Sequence, residues 1–141
     1  MYSQVTSLLR QRGELLLSGR FDEMVDHFLY PLPVFMQTSR LLITSPDHAR
    51  MIFGHLRAAL VERGVVMLRP SISAIDLPRA GRFRVWVDWQ EIAFPAEASR
   101  NSQAVYYCRT TELGLRTEML NYTHLSMPEL NQQFQALALS A

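Results

Sequence analysis

The sequence predicts an α+β domain in which helices and two short strands precede a four-strand antiparallel meander. Apolar residues recur at helical spacing as far as Gly64, and the period then changes from 3.6 to 2 for about sixty residues. The segment Ser126-Met127-Pro128-Glu129 has the pattern of a capping box, which predicts a short C-terminal helix. The chain has 141 residues and no linker-like stretch, so we expect a single domain over residues 1–141.

Apolar spacing and end signals define the predicted helices. The first runs to about Ser18, and the second covers Phe21–Phe28, where apolar residues follow the i, i+3, i+4, i+7 pattern. A third helix is expected over Pro46–Arg63. Ser45 is a favourable N-cap, proline fits the first helical turn, and Gly64 is suited to the C-terminal end.

Alternating polar and apolar residues predict the strands. Two short strands are expected between the second and third helices, at Val34–Gln37 and Leu41–Thr44. The four strands of the meander are predicted at Val65–Leu77, Arg82–Phe94, Ser102–Thr111 and Leu115–Leu125. Pro70 lies within the first of these four and cannot donate a ladder hydrogen bond, so that strand is expected at a sheet edge or to contain a bulge.

Charge and motif content exclude several classes of function. The formal net charge is +1 and the basic residues form no run, so no nucleic-acid partner is expected. All 14 basic residues are arginine, which excludes Schiff-base chemistry by a lysine of this chain. The four histidines are scattered, and we find no phosphate-binding loop, nucleophile elbow or zinc-binding helix motif. We therefore expect no metal and no cofactor.

Cysteine content and hydropathy predict the compartment. Cys108 is the single cysteine and can form no intramolecular disulfide, and the N-terminal residues lack a signal-peptide pattern. The apolar runs are far shorter than the roughly 20 residues that cross a bilayer. These observations predict a cytoplasmic protein without a membrane span.

The order of elements resembles that of the nuclear transport factor 2-like (NTF2-like) superfamily, which includes SnoaL-like polyketide cyclases and ketosteroid isomerases. Two local stretches carry the resemblance: Leu17–Asp22 looks like the junction of the first two helices, and Gly114–Thr117 looks like the start of the last strand. The resemblance implies a cystatin-like cone, in which a curved sheet wraps around the helices. It also implies an interior cavity and dimers formed through the sheet.

Strand alternation predicts which side chains face that cavity. On Arg82–Phe94 the odd-numbered residues include Phe83, Val85 and Val87, so the odd face is expected to be the core. Extending this parity across the turns gives a predicted ligand site of Trp89, Glu91, Tyr107, Arg109, Thr117 and Asn121. A register slip of one residue would instead bring Tyr106 and Cys108 inside.

The opposite face of the same strands is rich in aromatic residues. The parity places Trp86, Tyr106, Leu120 and Tyr122 on it, and such a patch is larger than monomers usually expose. Aromatic residues and arginine are enriched at interfaces between proteins. We therefore expect a homodimer through this face.

Two functions are compatible with the sequence. The first is binding of a small hydrophobic molecule or a protein partner, because the first strand region carries no carboxylate and the last offers Asn121 where the resemblance implies an acid. The alternative is an acid–base enzyme of the isomerase, cyclase, dehydratase or epoxide-hydrolase type. In it, Glu91 transfers the proton, and Tyr107, Arg109 or Asn121 stabilises negative charge.

Overall fold

The computed structural model describes residues 1–94 and 100–126, which form three helices and six strands. The helices are α1 (Tyr2–Ser18), α2 (Phe21–Met24) and α3 (Pro46–Glu62), and a 3-10 turn at Val25–His27 follows α2. The strands are β1 (Leu32–Met36), β2 (Ser39–Ile43), β3 (Val65–Ile75), β4 (Arg82–Ala93), β5 (Arg100–Thr111) and β6 (Gly114–His124). The predicted C-terminal helix lies outside the described residues.

The strands form one curved mixed sheet in the order β2-β1-β6-β5-β4-β3. All neighbouring pairs are antiparallel except β1 and β6, which pair in parallel through Val34 and Phe35. The α+β class and the meander are thus confirmed. Strand β3 is at the sheet edge and has two register shifts in its pairing with β4, as Pro70 predicted.

Local signals for the helix ends act as expected. The Ser45 hydroxyl accepts a hydrogen bond of 3.2 Å from the His48 amide and caps α3. Gly64 follows α3 with a φ of 77°, and a Cβ there would lie 2.7 Å from the Phe94 carbonyl oxygen, so glycine is required. The predicted second helix is shorter than expected, because Phe28 is already extended.

The hydrophobic core lies between the helices and the concave face of the sheet. Helix α1 contributes Val5 and Leu9, and α3 contributes Ile52 and Phe53, all of them buried. Gly13 allows α1 to approach the sheet, because a Cβ at this position would lie 3.2 Å from the Leu68 carbonyl oxygen. The close contact between Gly13 and Leu68 therefore places the middle of α1 against β3 on the concave side of the sheet.

The predicted parity is correct on β4 and wrong on β5. Phe83, Val85 and Val87 are buried, but their directly paired partners on β5 are Cys108, Tyr106 and Ala104. An even number of residues separates each such pair, so odd positions on β4 share a face with even positions on β5. The observed register is therefore the alternative in which β5 is shifted by one residue and Tyr106 and Cys108 face the interior. Tyr107 and Arg109 point to the convex side.

A bulge changes the parity again within β6. Cys108 pairs with Thr117, whereas Tyr107 pairs with Met119, so Glu118 is the extra residue. Thr117 therefore faces the interior, and beyond the bulge Leu120 and Tyr122 do so as well. The expectation that Tyr106, Leu120 and Tyr122 form an outer patch with Trp86 is wrong. Of these four, only Trp86 lies on the convex face.

Candidate functional site

Two small adjoining spaces lie inside the cone, between α1, α3 and the concave face of β3, β4, β5 and β6, and together they form the two parts of one candidate site. One part has a volume of about 90 Å³ and reaches Leu60, Glu91, Ser102 and Ser126. A second part of about 70 Å³ lies deeper and reaches Arg12, Phe28, Phe53 and Tyr106. The two parts share five walls: Leu16, Leu56, Leu68, Trp89 and Tyr122. The walls are predominantly apolar, with a polar group at each end.

The polar group at the deep end is a buried arginine. Arg12 is 4% exposed, and its guanidinium lies 4.7 Å from the centre of the Phe28 ring and 5.4 Å from that of Tyr106. Nη2 donates to the Thr117 hydroxyl at 2.6 Å, and Nε donates to His27 Nδ1 at 3.2 Å. Burial lowers the pKa of Arg12, but an arginine remains a cation inside a protein.

The aromatic groups beside Arg12 are neutral hydrogen-bonding partners. Trp89 Nε1 donates to the Tyr106 hydroxyl at 2.7 Å. Burial raises the pKa of Tyr106 and of Tyr122, so both phenols stay protonated at neutral pH. Burial also raises the pKa of Cys108, which keeps this thiol in its unreactive form.

His27 remains neutral beside this cation. Burial and then the charges of Arg12 and Arg116 lower its pKa to about 4, and Asp26 and Glu23 oppose the shift only in part. Because the ring is neutral near pH 7, Nδ1 is free to accept the hydrogen bond from Arg12. The Arg12 site therefore has one positive charge and several neutral dipoles.

Glu91 is the polar group at the outer end of the space. It lies next to Arg63, the residue that follows α3. Glu91 is buried, and its Oε1 lies 3.0 Å from Arg63 Nη1. The angles between these groups fall outside hydrogen-bond geometry, so the contact is an electrostatic pair. The sequence suggested Arg109 as the partner of Glu91, but Arg109 is exposed on the convex side and pairs in register with Arg82.

The structure brings together three of the six residues of the predicted site. Trp89 and Glu91 line the space, and Thr117 is buried behind Arg12. Tyr107, Arg109 and Asn121 lie on the convex side, because the register across β4, β5 and β6 differs from the predicted one.

Sequence reasoning missed Arg12, although its position carried a signal. Val5, Leu9, Arg12 and Leu16 are spaced by four, three and four residues, so the arginine interrupts the buried stripe of a helix. A charged residue on such a stripe is almost never fully buried unless something pairs with it. The spacing alone could therefore have identified Arg12 as a candidate.

Two further classes of site find no support in residues 1–94 and 100–126. No group of three or more histidine, cysteine or acidic side chains in these residues is arranged to hold a metal ion. No helix in the same residues is long and apolar enough to cross a membrane.

Comparison with known proteins identifies the fold. No family model matches the chain, and no curated protein matches it in sequence. An NTF2-like protein with a cystatin-like fold from Novosphingobium aromaticivorans has a TM-score of 0.68 at 13% identity, covering 96% of this chain and 87% of that one. A domain of unknown function with a cystatin-like fold from Nostoc punctiforme has a TM-score of 0.68 at 14% identity, over 99% and 88% of the two chains.

A third solved structure agrees with these two. It is an NTF2-like protein of unknown function from Shewanella oneidensis, with a TM-score of 0.67 at 11% identity, covering 86% of this chain and 98% of that one. The TM-scores and the coverage of these three structures confirm the fold that the resemblance implied. The chain has the NTF2-like, cystatin-like fold.

Proposed function

We propose that this domain binds a small hydrophobic molecule inside the cone, between α1, α3 and the concave face of the sheet. The observation that carries the proposal is the lined space shared by Leu16, Leu56, Leu68, Trp89 and Tyr122. Mostly apolar walls with a few convergent polar groups are typical of small-molecule sites. A tightly packed core would leave no such space next to a buried charge.

The dimensions of the space favour a ligand of about one ring. Each part is smaller than the roughly 150 Å³ cavity that accommodates benzene in an engineered protein. A single ring therefore has to use both parts, passing between Leu56 of α3 and Leu68 of β3. Trp89 lines both parts, so a ligand bound in either part should change its fluorescence.

Filling the space is expected to abolish binding. In a Trp86→Phe background Trp89 is the one remaining tryptophan, since the chain contains two. Benzoate, benzamide and phenol are titrated against this protein, and at least one is expected to change Trp89 fluorescence saturably. Adding Leu56→Trp should weaken that binding by about tenfold or more, because the new indole occupies the space; calorimetry gives the affinity of this variant and of its control, since each has a second tryptophan.

The matched control is Val61→Trp, which adds the same side chain to an exposed position of the same helix. It should leave the affinity within about threefold of that of the Trp86→Phe protein. Circular dichroism verifies that each variant folds. The proposal fails if no probe gives a saturable change, or if Leu56→Trp binds as well as Val61→Trp does.

The observed convex face supports a homodimer as the second part of the proposal. Register places Trp86, Val105, Asn121 and Phe35 in one row across four strands, and the adjacent row contains Tyr107. Phe35 is 38% exposed, and Trp86 is partly exposed with the Arg84 guanidinium 4.7 Å from its ring. Trp86, Phe35 and Tyr107 are thus aromatic side chains that share the convex face, and aromatic residues and arginine are enriched at the centres of interfaces.

Trp86→Glu should convert the dimer to a monomer, because it replaces one of the aromatic side chains of the proposed interface by a charge. Sedimentation velocity at tens of micromolar protein measures the change directly. Leu113→Glu, at an exposed turn, is the control and should leave a dimer. A wild-type monomer, or a dimer that persists in Trp86→Glu, contradicts this interface.

The acid–base alternative rests on Glu91 and has less support. The carboxylate lines the outer part of the space, but Arg63 lies 3.0 Å from it, as in an ordinary structural ion pair. Tyr107, Arg109 and Asn121, the groups expected to stabilise negative charge beside it, lie on the other side of the sheet. We therefore place ligand binding ahead of proton transfer.

A further inference from the structure

Arg12 is a buried arginine that has no acidic partner in the described chain. Arg20, Arg50, Arg63, Arg82 and Arg84 all form ion pairs with carboxylates. Within residues 1–94 and 100–126, no carboxylate forms an ion pair or hydrogen bond with Arg12, which is nevertheless among the most buried side chains. Burial of a charge is unfavourable unless an opposite charge or strong hydrogen bonds compensate for it.

The neighbours of Arg12 solvate the cation without neutralising it. Thr117 and His27 accept one hydrogen bond each, and Phe28 and Tyr106 offer ring faces. Arg116 is a second positive charge acting on the same region, and it lowers the pKa of Arg12 further. The deep end of the space therefore contains a cation that no carboxylate of the described chain pairs with.

The guanidinium has donors left for a ligand. It carries five N–H groups, of which Thr117 and His27 engage two among the described contacts. Three N–H groups remain, and Arg12 lines the deep part of the space together with Leu16, Phe28 and Tyr122. The planar fork of a guanidinium fits a carboxylate, which it binds through two parallel hydrogen bonds.

We propose that Arg12 is an anion receptor at the deep end of this space, so that the ligand of the domain is a hydrophobic carboxylate of about one ring. The inference rests on the proposed function and specifies the chemical class of the ligand. In the bound state the carboxylate contacts Arg12, and the ring lies between Leu56, Leu68 and Trp89. A carboxylate is favoured over a phosphate, because the walls beyond Arg12 are apolar and the space is small.

Benzoate and benzamide test this proposal, since they have nearly the same shape and differ in charge. Isothermal titration calorimetry gives both affinities for the wild-type protein, Arg12→Met and Arg10→Met. Methionine keeps an unbranched side chain without the charge, and Arg10 is an exposed arginine on the same helix. The wild-type protein and Arg10→Met should bind benzoate about tenfold or more tightly than benzamide.

In Arg12→Met the preference for benzoate should disappear, while the affinity for benzamide stays within about threefold of the wild-type value. Arg12→Lys keeps the charge and should retain part of the preference for benzoate. This second variant keeps the proposal testable if Arg12→Met fails to fold. Equal wild-type affinities for the two probes would overturn the carboxylate proposal and leave the hydrophobic site standing. A preference that persists in Arg12→Met would also overturn it. Absence of binding by both probes would refute the site and the proposal together.

Discussion

Phe53→Ala should lower the free energy of unfolding by about 3–5 kcal/mol, one of the largest effects expected for a single substitution in this chain. Phe53 is 6% exposed, and its ring centre lies 5.7 Å from that of Phe28 and 6.4 Å from that of Phe21. Alanine would leave a cavity where α3 meets α2 and the 3-10 turn. Urea denaturation followed by circular dichroism measures the change.

His55→Ala is the control for this measurement. His55 is two positions further along α3 and is exposed, so its replacement should change stability by less than about 0.5 kcal/mol. Arg57 would be a poor control, because its Nε donates to the Leu17 carbonyl at 2.9 Å and ties α3 to α1. Equal losses from Phe53→Ala and His55→Ala would mean that α3 does not pack on Phe21 and Phe28 as described.

Arg12→Met should leave the ligand-free protein as stable as the wild type, or more stable by about 1–2 kcal/mol. The guanidinium is buried without a carboxylate in the described chain, so its removal relieves a desolvation penalty. The substitution also removes the hydrogen bonds to Thr117 and His27, which sets an upper limit on the gain. A binding group that destabilises the empty protein is the expected compromise between stability and function.

Leu9→Ala supplies the comparison for Arg12→Met. Leu9 is on the same buried stripe of α1 and is 2% exposed. Its replacement by alanine should lower the free energy of unfolding by about 2–5 kcal/mol. Thermal and urea denaturation of both variants, measured without added ligand, give the two values. A loss in Arg12→Met as large as that in Leu9→Ala would identify Arg12 as a structural residue and contradict its role as a receptor.

Local features of this fold could be predicted from the sequence because they depend on a few adjacent residues. Ser45 and Pro46 begin α3, Gly64 ends it, and Pro70 lies on an edge strand, all as expected. The change of period after Gly64 correctly indicated the meander. Each of these signals is a local sequence pattern whose effect does not depend on residues far away in the chain.

The site could be predicted only in part because it depends on register. Alternation identifies the two faces of one strand, but the turn length and any bulge decide which faces join across the sheet. The β4–β5 pairing and the extra residue Glu118 in β6 each shift the parity, and together they place Tyr107, Arg109 and Asn121 outside. Arg12 lies on α1, outside the strands on which the prediction concentrated.

Intermolecular nuclear Overhauser effects between benzoate and the wild-type protein show directly whether the ligand lies inside the cone. Binding inside the cone predicts contacts from the benzoate ring protons to the methyl groups of Leu56 and Leu68 and to the ring of Trp89, which all line the interior space. Contacts confined to exposed side chains such as Val66 and Met67 would place the ligand outside the cone and refute binding between α1, α3 and the sheet.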